Sequence, residues 1–211
     1  MFFTFRLVDS LPRAFLERWE AWRVRLSLRS GVDPAAVDWP NRLRDATPER
    51  FARYRRRRSL GVLAALDRGH GACVLREPHA ADAVVEAFRF QDGVKMDLAL
   101  LLVMPNHVHG IAASKPGFAL PETLGHAKRF AAGAINRQLG RRGPLWQRET
   151  FDRLIRNQPA YDRTVRYIRD NPRGLPAGSF RLWEPSAWHA VPGCLGGGAR
   201  AAAPYPPPDE R

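Results

Sequence analysis

Residues 101–111 constrain the fold of this chain more than any other segment. They read Leu-Leu-Val-Met-Pro-Asn-His-Val-His-Gly-Ile, an apolar run typical of a buried strand that breaks at a Pro-Asn turn and resumes at His107 and His109. Because residues two apart in a strand point to the same face, both imidazoles can converge on one metal ion. Two neutral surface histidines show the same spacing, so the pair alone leaves both interpretations open.

A second candidate site follows on the helix predicted over residues 158–171. Tyr161 and Ile168 lie in the stripe that we expect to face the core, whereas Tyr167 and Asn171 lie together on its flank. A tyrosine at the edge of a buried stripe can present its hydroxyl to a neighbouring groove, although packing alone also explains a tyrosine there. Asn171 precedes a proline, and that position favours asparagine as a helix end in any case.

Length and composition indicate a single globular domain. The chain has 211 residues, of which 45% are hydrophobic, enough for a substantial core. No run approaches the roughly eighteen apolar residues of a membrane span, and residues 1–6 lack a secretory signature, so we expect a cytoplasmic protein without a membrane partner. Cys73 and Cys194 indicate neither a disulfide framework nor a thiolate zinc site. We expect the domain to cover residues 1–188 and residues 189–211 to form a flexible tail.

The charge of the chain indicates a polyanionic partner. The formal net charge is +13, and arginine outnumbers lysine 31 to 3. Arginine suits bidentate phosphate contacts and stacking on bases, although a GC-rich genome produces the same bias. The densest cluster, residues 53–58, lies on a helix predicted from Thr47 to about Gly69, within a basic helical insertion at 31–69 whose first part, 31–46, reads as a connection. The cluster is interpreted either as a nucleic-acid contact or as a solvated helix face.

Other elements follow from periodicity and turn residues. We predict strands over 2–7, 73–75 and 94–103, and helices over 11–28, 80–90 and 121–139. The last of these helices has a basic face that includes His126, a residue more often solvated than bound to a metal or phosphate. Trp146 can stack on an unpaired base or close the core. The candidate DNA-binding residues are Arg55, Arg56, Arg57, Arg58, Lys128, Arg129, Trp146 and Arg148.

Four motifs in register resemble a known family. Met-Pro-Asn-His-Val-His at 104–109, Leu-Trp-Gln-Arg at 145–148, Asp-Arg-Leu-Ile-Arg at 152–156 and Tyr-Ile-x-x-Asn-Pro at 167–172 occur in the order and at the spacing of the REP-associated tyrosine transposases. These are single-tyrosine members of the HUH endonuclease superfamily. The likeness runs from the opening Phe-Phe-Thr-Phe-Arg to about Trp188. The chain departs from the family after Pro172, where the stretch before the next Gly-Leu is shorter than usual.

The resemblance implies an α+β fold: a ferredoxin-like, RRM-like antiparallel sheet with helices on one face, the His pair on its central strand and Tyr167 on a helix packed across it. It further implies that His107 and His109 hold Mg²⁺ or Mn²⁺ and that Tyr167 is the nucleophile. Asn171 matches the polar position that completes the metal site in related transposases, where glutamine is found in the insertion-sequence branch. The oligomeric state implied is a monomer or a homodimer.

The chemistry implied is metal-dependent transesterification of single-stranded DNA beside short palindromic hairpins. A phenol with a pKa of about 10 is a poor nucleophile at neutral pH, so a cation must stabilise the developing charge. Attack by the tyrosine gives a 5′-phosphotyrosine and a free 3′-hydroxyl, which allows strands to be rejoined without ATP. Such an enzyme would be cytoplasmic and associated with the nucleoid. The alternatives are a catalytically silent hairpin-DNA-binding protein and an RNA-binding module of the same fold.

Overall fold

Five strands and six helices form residues 1–185, the part of the protein that the computed structural model describes. The strands are β1 (Phe2–Arg6), β2 (Met96–Val103), β3 (His107–Ser114), β4 (Phe151–Arg153) and β5 (Arg181–Trp183). The helices are α1 (Arg13–Arg29), α2 (Trp39–Ala46), α3 (Pro48–Leu66), α4 (Pro78–Arg89), α5 (Leu120–Gln138) and α6 (Gln158–Asp170). A short 3-10 helix, Val74–Arg76, precedes α4.

The strands form one antiparallel sheet in the order β4-β1-β3-β2-β5. The first four strands, with helices between β1 and β2 and between β3 and β4, have the connectivity and order of a ferredoxin-like sheet. β5 is added at the edge beside β2. The predicted α+β, ferredoxin-like architecture is confirmed, and β3, which carries the two histidines, is the central strand.

The two faces of the sheet are covered by different helices. On one face Phe3, Phe5 and Val108 belong to the main core together with the apolar sides of α4 and α5. On the opposite face Phe2 and Ile111 pack with residues of α6 in a second cluster. The expectation of helices on one face is therefore wrong for α6. The strand alternation that sends Val108 into the main core sends its neighbours His107 and His109 toward the α6 face.

Helices α1, α2 and α3 share a core of their own. Leu43 of α2 and Phe51 and Tyr54 of α3 are buried against the half-buried Trp19 and Trp22 of α1. The prediction that residues 31–46 form only a connection is wrong, because Trp39 and Leu43 give α2 an apolar side that this cluster buries. α3 begins at Pro48, as predicted, and ends at Leu66, slightly before the predicted end.

Most other predicted elements are confirmed. One predicted strand is absent, and one predicted region lies outside the described residues. The strands near 2–7 and 94–103 and the helices near 11–28, 80–90 and 121–139 are present with shifted ends. Residues 73–75 do not form the predicted strand, because Cys73 adopts a left-handed conformation, with φ of 50°, and starts the 3-10 helix. The predicted tail at 189–211 lies outside the described residues. Within residues 1–185, no helix combines the length and apolarity needed to cross a membrane.

The chain leaves α6 through two turns. Pro172 is buried, and its carbonyl accepts a hydrogen bond from the Leu175 backbone N–H at 3.0 Å. Gly174, with φ of 86°, permits this turn. Leu175 then packs on the α6 face of the sheet, and the chain continues to β5. The shortened stretch after Pro172 is thus accommodated as a compact connection to an edge strand.

Candidate functional site

The two histidines of β3 meet at their Nε2 atoms. His107 and His109 are both fully buried, and their Nε2 atoms are 3.0 Å apart. The sharp hairpin from Met104 to Asn106 places them at the start of β3, where the Met104 backbone N–H donates to the His107 carbonyl at 2.8 Å. The structure therefore brings the pair together as the spacing predicted, but in the interior and not on the surface.

Asn106 determines which nitrogen of His107 carries the proton. Its Nδ2 donates to the carbonyls of Leu66 at 3.2 Å and His70 at 3.0 Å, so its Oδ1 is left as the acceptor for His107 Nδ1 at 2.8 Å. His107 Nδ1 accordingly donates to Asn106, and in the neutral ring Nε2 keeps its lone pair. That lone pair points at His109.

Thr4 of β1 contacts His109, the other histidine of the pair, and determines which of its nitrogens carries the proton. Thr4 lies opposite His109 in the sheet register, and its Oγ1 is 2.7 Å from His109 Nδ1. If the hydroxyl donates, His109 Nε2 carries a proton and donates to His107. If the hydroxyl accepts, both Nε2 lone pairs face each other and require a cation between them. Rotation of the Thr4 hydroxyl, together with a change of the His109 tautomer that moves its proton from Nε2 to Nδ1, thus converts the pair from a closed hydrogen bond to two ligands.

Both imidazoles are neutral at physiological pH. Burial lowers the pKa of His107 to about 3. Burial also lowers the pKa of His109 well below its usual value, and the neighbouring His107 adds to this effect. Neutral imidazole is the form that ligates metals, so the environment keeps the pair available as ligands.

Tyr167 of α6 lies over the histidines at the edge of the buried region. Its ring centroid is 5.5 Å from that of His109, and Phe2 contacts both rings, at 6.3 Å from Tyr167 and 5.7 Å from His109. Tyr167 remains 36% exposed, whereas Ile168 in the same turn is fully buried. As the helical spacing predicted, Tyr161 and Ile168 face the core and Tyr167 lies on the flank.

Asn171 follows one turn after Tyr167 and continues the helical geometry of α6. Its Oδ1 atom is buried and has no hydrogen-bond partner within residues 1–185. Desolvation raises the pKa of the Asp67 carboxyl, just after α3, and the Asn171 side chain acts against this rise. A buried carbonyl oxygen without a donor is costly, and a bound cation would satisfy it.

The spacing of the two histidines fits a small divalent cation. Two nitrogens bound at right angles to one ion at about 2.1 Å would lie about 3.0 Å apart, and the observed Nε2 separation is 3.0 Å. No cluster of three His, Cys, Asp or Glu side chains that could hold a metal occurs among residues 1–185. The third candidate ligand, Asn171, is an amide and belongs to none of those residue types. His107, His109 and Asn171 would therefore form a neutral donor set.

An arginine of β1 is a neighbour of the histidine pair in the sheet register. Arg6 lies opposite His107 in the register, so its side chain emerges on the same face. Its guanidinium donates to Ser10 Oγ at 3.2 Å. Burial lowers the pKa of Arg6, and the charges of Glu149 and Arg58 also act on it. The charge of Arg58, at the end of the α3 arginine cluster, thus acts on a residue that lies opposite His107 in the sheet.

The predicted DNA-binding residues divide into exposed and buried groups. The arginines 55–58 are exposed along α3, with Arg58 3.9 Å from Glu149 across the chain and Arg55 over the Phe51 ring at 5.9 Å. Arg148 and Arg129 are also exposed. Arg129, like the exposed His126, lies on α5, which covers the sheet face opposite to Tyr167. The candidate DNA-binding residue Arg129 thus lies in the helix layer on the other side of the sheet from Tyr167.

Two of the candidate DNA-binding residues, Lys128 and Trp146, are largely buried in the fold. Lys128 is 9% exposed, its Nζ donates to Thr150 Oγ1 at 3.0 Å, and it lies 5.2 Å from the Phe5 ring centroid. Burial lowers the pKa of this lysine. Trp146 is also 9% exposed, packs edge-on against Phe5 at 4.9 Å and donates from Nε1 to the Lys128 carbonyl at 2.8 Å. Burial leaves little of either side chain accessible to a ligand.

Sequence reasoning missed four residues that shape the site: Thr4, Arg6, Asp67 and Asn106. Asn106 is adjacent to His107, and a polar residue inside an otherwise apolar hairpin was a usable signal. Thr4 is the polar residue among the phenylalanines of β1, which also marks it. Asp67 carries no such signal, because Asn171, which acts on its pKa, is distant in the chain.

Comparison with known proteins gives no match: neither family models, nor curated proteins, nor solved structures match this chain. The interpretation of the site therefore rests on the geometry described above.

Proposed function

We propose that this protein is a metal-dependent single-stranded DNA transesterase, a tyrosine transposase or endonuclease that cleaves and rejoins DNA next to short palindromic hairpins. The observation that carries the proposal is the meeting, on one face of the sheet, of a neutral histidine pair and a partly exposed tyrosine 5.5 Å from His109. A ferredoxin-like sheet alone supports many functions, so the site has to carry the argument.

Tyr167 is the proposed nucleophile because its ring lies at the boundary between solvent and the buried pair. Its phenol oxygen would bond to the phosphorus while the bond from phosphorus to the 3′-oxygen breaks, leaving a 5′-phosphotyrosine and a 3′-hydroxyl. The tyrosine proton is lost in this step, and the departing 3′-oxygen gains one. Resealing is the reverse reaction and needs no external energy source.

His107, His109 and Asn171 are the proposed ligands of Mg²⁺ or Mn²⁺. The ion, when bound, would neutralise charge that develops on the phosphate. The chain's own part is to keep both imidazoles neutral through burial and to hold His107 Nε2 as an acceptor through Asn106. Because all three ligands are uncharged, the ion would keep its full charge toward the phosphate.

The exposed arginines of α3 are the proposed DNA contacts. They lie on the helix whose Arg58 acts on the charge of Arg6, the residue opposite His107 in the sheet register. A basic surface of this kind binds phosphates without reading sequence, whereas a hairpin beside an unpaired strand offers a shape to recognise. Arg148 extends this surface, since it follows the segment whose Gln147 N–H donates to the Arg6 carbonyl at 2.8 Å.

The decisive experiment is detection of a covalent adduct. The protein is incubated with Mn²⁺ and a labelled single-stranded oligonucleotide that carries a palindromic hairpin, and the products are separated under denaturing conditions. We expect a protein-DNA adduct that Tyr167→Phe abolishes. Tyr161→Phe is the matched control, because Tyr161 is on the same helix but faces the core. Since the hairpin sequence is not known, a pool of hairpins with randomised stems and flanks serves as substrate.

Two results would contradict the proposal. An adduct that survives Tyr167→Phe and disappears in Tyr161→Phe would show that Tyr161, and not Tyr167, is the nucleophile. Tight binding of hairpins from the pool without any adduct, in Mg²⁺ or Mn²⁺, would favour the catalytically silent binding protein.

A further inference from the structure

The edge strand β4 places one arginine on the face of the sheet that carries the histidines. In the pairing of β4 with β1, Phe151 lies opposite Thr4 and Arg153 lies opposite Phe2. Residues directly opposite each other in an antiparallel pair project from the same face. Phe2 and Phe151 both belong to the cluster on the α6 face, so Arg153 projects toward α6 as well. The Asp-Arg-Leu-Ile-Arg motif at 152–156 thus contributes a cation to the histidine face.

Arg153 is held between β1 and α6. Its guanidinium lies over the Phe2 ring, 5.8 Å from the centroid, and its Nη2 donates to Thr164 Oγ1 at 3.2 Å. The Thr164 hydroxyl donates its own proton to the Ala160 carbonyl at 2.7 Å, so its oxygen is the acceptor for Arg153. Thr164 is buried, whereas Arg153 is only half-buried. A buried hydroxyl therefore fixes the direction of a guanidinium that solvent still reaches.

The guanidinium and the phenol of Tyr167 are neighbours around one ring. Thr164 and Tyr167 are three residues apart on α6, so their side chains occupy adjacent positions on the helix surface. The Phe2 ring centroid is 6.3 Å from that of Tyr167 and 5.7 Å from that of His109. Phe2 therefore contacts a proposed metal ligand, the proposed nucleophile and Arg153. A phosphate held at Tyr167 would lie beside the guanidinium.

An arginine at this position suits a phosphate under attack. Attack by a phenol adds negative charge to a phosphodiester, and a planar guanidinium presents paired N–H donors that match two phosphate oxygens. The bond to Thr164 uses one of the five N–H groups that the side chain carries. The proposed metal ligands are all uncharged. Arg153 would therefore be the positive charge that the chain itself brings to the reacting phosphate.

We propose that Arg153 is a further catalytic residue, whose guanidinium binds the nonbridging oxygens of the phosphate that Tyr167 attacks. The inference rests on the proposed function, because it requires a phosphate at Tyr167. The bonds made and broken are those of the transesterification: the tyrosine oxygen bonds to phosphorus and the bond to the 3′-oxygen breaks. Arg153 stays protonated and takes part in neither proton transfer. Fixed donors aimed at developing charge contribute about 100- to 1000-fold in rate.

The test measures the rate of adduct formation in a single turnover, with Mn²⁺ and excess protein. The substrate is the hairpin oligonucleotide from the randomised pool that gives the highest adduct yield with the wild type. We expect Arg153→Met, which keeps an unbranched side chain over Phe2 but removes the charge, to react about 100-fold more slowly. Arg153→Lys keeps a charge without the planar fork and should react at least about 10-fold faster than Arg153→Met. Arg156→Met is the matched control, since it removes an exposed arginine of the same motif, and its rate should stay within about threefold of the wild type.

The outcomes separate this inference from the proposed function. If the wild type forms no adduct with any member of the pool, the proposed function and the inference fail together. If the wild type forms an adduct and Arg153→Met reacts within about threefold of it, the inference alone is overturned. Equal losses in Arg153→Met and Arg153→Lys would show that Arg153 only packs against Phe2, and an equal loss in Arg156→Met would show a general effect of charge. Either result also overturns the inference.

A second pair of variants decides the question if Arg153→Met lowers the melting temperature. Thr164→Val leaves the arginine in place and removes the oxygen that directs it, whereas Thr164→Ser keeps that oxygen. We expect adduct formation to slow by about 10-fold in Thr164→Val and to stay near the wild-type rate in Thr164→Ser. Equal rates in both variants and the wild type would overturn the inference.

Discussion

Acidification should destabilise this fold through the buried histidine pair. Burial lowers the pKa of His107 to about 3 and that of His109 well below the ordinary value of 6.5. The folded protein therefore keeps both rings neutral, whereas each histidine of the unfolded chain binds a proton below pH about 6.5. Because the unfolded state binds more protons, the contribution of the pair is fully present above the unfolded pKa. It is lost as the pH falls from there toward the folded values.

The expected size of this effect is large relative to ordinary protein stability. Each histidine that stays neutral in the fold removes about 1.4 kcal/mol per pH unit below its unfolded pKa. For two histidines, the loss between pH 7.5 and 4.5 is on the order of 5 kcal/mol. Whole domains are stable by about 5 to 15 kcal/mol, so acid unfolding should begin within this window.

Denaturant unfolding followed by tryptophan fluorescence at several pH values between 7.5 and 4.5 measures the loss. The matched control is the double variant His107→Gln, His109→Gln, which lacks the two titrating rings but keeps the exposed histidines and all carboxylates. Between pH 7.5 and 4.5 the free energy of unfolding of this variant should fall less than that of the wild type, by the roughly 5 kcal/mol assigned to the histidine pair. If the free energy of unfolding falls equally with pH in the wild type and the variant, the claim that the fold holds the pair neutral is refuted.

Three further predictions follow from side-chain contacts. Gly110→Ala should lower stability by about 1 to 3 kcal/mol, since a Cβ there would lie 2.2 Å from Phe3 Cζ. Denaturant unfolding should show partial rescue by Phe3→Leu, and additive losses would contradict this close approach. Lys128→Met should change the melting temperature but not the salt dependence of DNA binding. A weaker salt dependence would show that Lys128 contacts a phosphate of the DNA. Replacing arginines 55–58 by glutamine should flatten a slope of log K against log salt near −3.5, expected for about five phosphate contacts to single-stranded DNA. An unchanged slope in fluorescence anisotropy titrations would make the cluster a solvated helix face.

The central hairpin and the tyrosine helix were predictable because their signals are local. The apolar run before Pro105, the alternation after it and the helical spacing of Tyr161, Tyr167 and Ile168 each depend on near neighbours in sequence. Alternation in a strand also predicts that two histidines separated by one residue share a face, and their Nε2 atoms do meet. Local periodicity was therefore sufficient to predict the parts of the candidate site that belong to a single strand or a single helix.

The misassigned residues depend on distant partners. Lys128 lies in the buried stripe of α5 because its ammonium reaches Thr150, 22 residues away in the chain. The helix pattern alone assigns a lysine to the exposed face, and nothing local signals that partner. The same holds for Thr4, whose contact with His109 spans 105 residues. α2 was missed because its apolar side is short and is buried by the other two helices of the insertion.

The histidine face of the sheet is less favourable to stability than an apolar face would be. Four polar residues of β1, β3 and the hairpin before β3 are nearly or fully buried: Thr4, Asn106, His107 and His109. Each makes a hydrogen bond within the cluster, yet such bonds contribute little net stability once the loss of water is counted. Apolar residues of similar size would fold at least as well, as the opposite face of the same strands demonstrates with Phe3, Phe5 and Val108. Asn171 adds a buried oxygen that the described residues leave without a donor. A buried polar cluster of this kind, placed beneath a partly exposed tyrosine, is therefore better explained by binding and chemistry than by packing.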